Sequence, residues 1–245
     1  MPECKLCLEK VDKLCNSHII PEFFYKPIYN DQHKLFPIDL NKIKINKIQK
    51  GLREYLLCKS CESKFNRYEN VVNKIIYTDK LTSERDEPFF IINDFDYHKF
   101  RFFQLSILWR IGVSSLSMFS DVKLGPHLEI LRNSLSEERL CPYNQYGCIL
   151  TACRHEGKHK IDFIDSPEKL SIIGGHKAYR LVFGGFVWTF VVSSKNHPIH
   201  ETYEYMFLRP SHLLIFNKEI KDMEFINEIA PDFKKILDEN PGLYK

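Results

Sequence analysis

Three things are missing from this chain of 245 residues. Its N-terminus reads Met-Pro-Glu-Cys-Lys, with no basic stretch leading into an apolar run, and so is not a secretory signal. No apolar run reaches the length of a membrane span. The most apolar stretch, 102–119, is broken by Gln104, Arg110 and several serines. It fits a buried helix, and no membrane association is expected. There is also no internal repeat and no low-complexity tract, which excludes a solenoid or a compositionally biased linker.

What is present suits a packed protein. The composition is 44% hydrophobic and 13% aromatic, with 19 Phe and 12 Tyr, so wholesale disorder is not expected. Eight cysteines without a secretory signal point to the reducing cytoplasm, where metal binding or plain burial outranks disulfide bonding. The net charge is only +3, but it is unevenly spread. Residues 1–80 carry 15 Lys and Arg against 10 Asp and Glu, while the remainder carries 20 against 22. The basic end is also the cysteine-rich end, which favours an anionic partner there.

The length allows one large domain or two small ones. Pro88, preceded by Ser83-Glu84-Arg85-Asp86-Glu87, marks a boundary between 1–87 and 88–245. In the first part, strands are expected at 16–20 and 53–57 and a helix from Cys61 to about Ile76, where Phe65, Tyr68, Val72 and Ile75/Ile76 recur at helical spacing. In the second part, helices are expected at 97–119 and 127–140. Hairpins then follow around Glu156-Gly157 (148–152 with 160–164) and Gly184-Gly185 (178–183 with 186–192), with a short strand at 213–216 and a closing helix at 223–237. The fold class is α+β: a small N-terminal module, a helical middle, and a C-terminal antiparallel sheet with a terminal helix.

Cys4 and Cys7 form one Cys-x-x-Cys pair, and Cys58 and Cys61 a second. Four thiolates in two such pairs are the usual donors of a closed tetrahedral zinc site. Knuckle, hairpin, then a helix whose first turn bears the second pair is the order of a treble-clef module. The unpaired N–H groups and dipole of a helix start help stabilise thiolates, and zinc closure supplies folding energy a small unit lacks. Cys15 is out of register with both pairs and reads as a lone thiol.

Between the pairs lies Ser17-His18-Ile19-Ile20-Pro21, and Leu57-Cys58-Lys59-Ser60-Cys61-Glu62 follows it. With Cys4-x-x-Cys7, these segments resemble the HNH, or His-Me finger, endonuclease family, whose active site is a ββα-metal unit. The resemblance covers residues 1 to about 75. It implies a metal-dependent endonuclease that hydrolyses phosphodiester bonds in DNA, with a role in defence against foreign DNA. It further implies His18 as the general base, a task suited to an imidazole pKa near 6.5. Glu62 and Asn66, four apart on one helix face, would hold a divalent catalytic metal, Mg²⁺ or Mn²⁺, with Ser17 as a further partner. Ser17 stands where the family usually has Asp or His. Glu62 stands where it commonly has His or Asn, and Arg53 replaces an Asn that orients the base. A second reading therefore stays open: a catalytically inactive, zinc-stapled module that binds nucleic acid or a protein.

Other segments carry weaker signals. From Asn41 to Lys50, Lys and Ile alternate almost strictly, the period of a strand with one basic face. Lys42, Lys44, Lys47 and Lys50, with Arg53, suit phosphate contact, or equally a charged edge strand that resists aggregation. Cys141, Cys148, Cys153, His155 and His159 lack the tight spacing of a second zinc site. Leu108-Trp109-Arg110-Ile111 fits a buried helix, with Trp109 in the core and Arg110 beside an acid or reaching solvent. The run through Gly112-Val113-Ser114-Ser115 is also similar to the body attached to the zinc head in bacterial HNH-like proteins. The second segment would then serve recognition, dimerisation or a partner protein.

Overall fold

The computed structural model describes residues 1–29, 34–35, 38–39, 44–45, 48–49, 51–77, 87–159, 164–165, 167–173, 176–192 and 206–224. Strand β1 (Cys15–His18) follows the first cysteine pair, and a short 3-10 turn (Glu22–Phe24) follows β1. Four short strands come next: β2 (Lys34–Leu35), β3 (Ile38–Asp39), β4 (Lys44–Ile45) and β5 (Ile48–Gln49). β2 pairs with β5 and β3 with β4, all in one antiparallel register, so the insertion is hairpin-like in its backbone. β6 (Arg53–Leu57) then returns to pair with β1 and leads directly into helix α1 (Lys59–Ile76).

Helix α1 follows its expected apolar stripe. Cys61, Phe65, Tyr68, Val72 and Ile76 are buried at three- and four-residue spacing. β7 (Phe89–Ile92) comes next, and Asp96 then caps helix α2 (Tyr97–Val113), its carboxylate accepting from Lys99 N at 3.0 Å. Every residue from Phe100 to Ile111 is buried, so α2 is the central helix rather than a surface one. It packs against α1 on one side and helix α3 (His127–Ser136) on another. Both helices were expected to run longer. α2 stops at Val113 because Ser114 and Ser115 turn their polar groups onto Glu54, and only a 3-10 turn (Ser117–Phe119) follows. α3 stops at Ser136, where Glu138 takes a positive φ of 51°.

Among the described residues, the C-terminal part holds a sheet of seven strands. β8 (Cys148–His155) and β9 (Lys158–His159) form the hairpin at Glu156-Gly157, whose two positive φ values give the tight turn. The expected partner strand begins at Lys158, and residues 160–163 lie outside the described residues. β10 (Glu168–Ile173), β11 (His176–Phe183), β12 (Phe186–Val192) and β13 (Leu213–Glu219) complete it, in the order β10-β11-β12-β8-β13-β7. The Gly184-Gly185 hairpin forms as expected, with Phe183 opposite Phe186. The sheet departs from a purely antiparallel one at a single pair, because β13 runs parallel to β8. β7 and β10 were not expected. β7 is only four residues long and sits next to a proline-marked boundary, and its half-exposed alternation becomes meaningful only when β13 pairs with it. The closing helix at 223–237 falls almost wholly outside the described residues.

One continuous core joins these parts, running from Cys4 through α1 and α2 to Ile215. Phe24, from the turn after β1, packs against Phe183, Trp188 and Phe103. Gly184 is required there twice over: its φ is +64°, and a Cβ would come 2.2 Å from the Phe24 ring. The turn after β1 is thus seated on the sheet by an aromatic wedge. Among the described residues, no helix is long and apolar enough to cross a membrane.

Candidate metal centre and the neighbouring His18 site

The cysteine group is built by local turns. Cys4 N–H donates to Glu9 O, Leu8 N–H to Cys4 O, and Lys5 N–H to Leu56 O, which ties the knuckle to β6. Cys58 is the N-cap of α1, and its N–H donates to Cys4 Sγ at 3.3 Å. Arg132 of α3 adds a longer-range tie, donating to Leu6 O at 2.9 Å. The four sulfurs of Cys4, Cys7, Cys58 and Cys61 all lie within 4.8 Å of one another. Cys7 Sγ and Cys58 Sγ are 3.8 Å apart. Four thiolates at about 2.3 Å from a tetrahedral zinc would be separated by about 3.8 Å, so the donors fit such an ion. The group can hold a metal ion such as zinc. Its protons are unequally held. Hydrogen bonding from Cys61, with backbone N–H groups, holds Cys4 far below the usual thiol range, while the same contact and burial push Cys61 up. Among the described residues, this is the only group of three or more Cys, His, Asp or Glu donors at ligating distance.

The neighbouring residues divide by strand alternation. Ser17 is 1% exposed and points at α1, donating from Oγ to Glu62 Oε2 at 2.6 Å. This contact brings β1 and the first turn of α1 together immediately beyond the cysteines. Glu62 is half-buried in the first turn of α1, and Asn66 is exposed one turn further along. His18, next on the strand, turns the other way. Its Nε2 lies 3.8 Å from Glu22 Oε2, and its ring centroid is 6.2 Å from that of Tyr25. Arg53 is directly opposite His18 in the β1–β6 register, and its Nη2 lies 3.4 Å from the same Glu22 oxygen. Glu22 therefore links the candidate base and the cation across from it. Of the expected phosphate-contacting lysines, Lys44 is in strand β4 opposite Asp39, and Lys42, Lys47 and Lys50 lie outside the described residues.

Sequence reasoning missed most of what surrounds His18. Arg110 of α2 donates to His18 O at 2.9 Å and to Glu69 Oε1 at 2.8 Å. Burial pushes the Glu69 carboxyl up, and Arg110 opposes that shift. Glu54, opposite Ser17, accepts from Ser114 Oγ at 2.8 Å, Ser115 N at 3.0 Å and Ser115 Oγ at 2.5 Å. Glu69 was open to detection, since it lies seven residues from Glu62 on the same helix face. Glu22 and Glu54 carried no such signal. Cys15 is a half-buried thiol on β1, raised chiefly by burial. Trp109 is buried edge-on to Phe65, as a core role requires.

Comparison of the chain with protein-family models, with curated proteins and with solved structures gives no match.

Proposed function

We propose that this protein is a metal-dependent endonuclease of the HNH type that hydrolyses phosphodiester bonds in DNA, with Cys4, Cys7, Cys58 and Cys61 holding a structural zinc. One observation carries the reading: the Ser17–Glu62 contact ties the strand that ends in His18 to the helix that bears Glu62, the strand-then-helix order of a ββα-metal unit, while His18 itself lies toward Glu22. The zinc fixes the start of α1, and α1 then presents Glu62 to the hairpin. His18 takes the proton from the attacking water, and the Glu22 carboxylate stabilises the imidazolium that forms. Arg53 faces the same side as His18 and suits a phosphate oxygen. A divalent cation held by Glu62 with Asn66, Mg²⁺ or Mn²⁺, would supply charge neutralisation at the leaving oxygen. The resemblance of these motifs to the HNH family adds a role in defence against foreign DNA inside the cell.

A second reading, a zinc-stapled module that binds nucleic acid without cutting it, is favoured by a different aspect of the same contact: the Glu62 carboxylate already has a protein donor. Nicking of supercoiled plasmid separates the two. The His18→Ala variant should lose metal-dependent nicking while keeping one zinc per chain by elemental analysis. If the parent protein retards DNA in a gel yet cuts nothing with Mg²⁺, Mn²⁺, Ni²⁺ or added Zn²⁺, the binding module is correct and the nuclease reading is wrong.

A further inference from the structure

The C-terminal turn of α2 reaches both strands of the hairpin that carries His18. Arg110 is 2% exposed, and each of its guanidinium nitrogens has a hydrogen-bond partner. One terminal nitrogen donates to His18 O at 2.9 Å and to Glu69 Oε1 at 2.8 Å. The other donates to Ser106 Oγ at 3.2 Å, and the group lies 5.2 Å over the Phe65 ring. One turn later, Ser114 and Ser115 hold the Glu54 carboxylate. Glu54 pairs with Ser17, and Arg53 with His18, so the two grips fall on opposite strands at the level of the candidate base.

We infer that the Trp109-Arg110-Ile111-Gly112-Val113-Ser114-Ser115 end of α2 is a positioning clamp for His18, with Arg110 as its principal positioning residue. This deepens the nuclease reading and rests on it. It gives the 88–245 segment a part in the chemistry, apart from any role in recognition.

The physical case is one of geometry. His18 ends β1, and the chain bends away over Ile19 and Ile20, with Ile19 N–H donating to Leu52 O at 3.0 Å. The backbone position of this strand end sets where the imidazole sits. Arg110 fixes the carbonyl of that residue, and it is itself fixed by a carboxylate on α1 and a hydroxyl on its own helix. Only a planar fork reaches all three, so lysine is not an equivalent there. Trp109, the preceding residue, packs on Phe65 and sets the depth at which α2 lies against α1.

The test compares Arg110→Lys and the Ser114→Ala/Ser115→Ala double variant with the parent. Plasmid nicking is read as kcat and KM, alongside zinc content and the imidazole signals of His18 by NMR, assigned through His18→Ala. Displacing a catalytic group by about 1 Å costs on the order of 100-fold. Arg110→Lys should therefore lower kcat by about that factor with KM within about threefold, keep one zinc per chain, and shift the His18 signals. The double variant should shift the same signals less. Unchanged kcat and unchanged His18 signals in folded, zinc-loaded Arg110→Lys would overturn the clamp. A loss confined to KM would also overturn it, by making Arg110 a binding residue. If the parent cuts no DNA, the nuclease reading fails alone. The His18 signals then decide the clamp: a shift in Arg110→Lys supports it, and none rejects it.

Discussion

The cysteine group and the His18 site lie at the two ends of one short hairpin, yet they are assembled in different ways. The four sulfurs come from two sequence-local pairs, and their spacing is closed by a knuckle and a helix cap. His18 has no such local closure. Its neighbours Glu22, Arg53, Glu69 and Arg110 come from a turn, the opposite strand and two different helices. A metal site of this kind needs only short loops and a favourable ion, because zinc–thiolate bonds supply the folding energy. A positioned base needs rigid support from elements far apart in the chain.

The largest effect should come from breaking the first region. With a zinc bound at the four cysteines, Cys61→Ser or chelation of the parent should release it and unfold the knuckle, the β1–β6 pair and the start of α1. Structural zinc sites are worth on the order of 10 kcal/mol, comparable with the stability of a whole domain. Elemental analysis and thermal melting check this outcome. Acid should act in the same direction, since protons compete with the metal for thiolates as pH falls. A Cys61→Ser protein that keeps its zinc and melting point would show that the two regions do not differ as described.

Trp109→Ala strikes what both regions share, the packing of α2 on α1. It should cost about 3–5 kcal/mol, measured by denaturant unfolding, with zinc retained in the folded fraction. Glu54→Ala strips the acceptor from Ser114 and Ser115 and should cost about 1–3 kcal/mol. It should leave the metal content unchanged, because Glu54 makes no contact that closes the cysteine group. Ser17→Ala, which removes one hydrogen bond to a half-buried carboxylate, should cost about 1 kcal/mol. Its value lies in the contrast: a small stability change with a large loss of nicking would mark Glu62 as functional rather than structural.

Asp96→Ala should be the mildest change, about 1 kcal/mol for a lost helix cap. The capping carboxyl is held below its ordinary range, chiefly by the Lys99 backbone N–H and then by the Lys99 side chain. Its ionised form is therefore favoured in the folded state. The stabilisation is present above the ordinary carboxylate range and is lost as pH falls through the lowered value. Melting curves of parent and variant should converge as pH falls through that lowered value.

Much of the chain was legible where signals are local. The Gly184-Gly185 hairpin, the stripe of α1 and strand 53–57 each follow from a dipeptide or a period. Strand β7 was not legible, since four residues beside a proline carry no period strong enough to outweigh a linker. The stop of α2 was hidden for another reason. Val113-Ser114 is not a helix breaker by itself, and the turn forms because Glu54, 60 residues earlier, accepts from both serines.

The same division holds for the site. By itself the sequence determined the cysteine group, because ligand spacing and a helix start are properties of short segments. The resemblance of its motifs also put Ser17 and Glu62 at one site. Only the tertiary structure decided that Ser17, and not His18, faces α1, and that Glu22 and Arg110 hold the histidine. Side chains alternate along a strand, so register sets which residue faces the helix. A buried guanidinium finds its partners only after separate helices have packed.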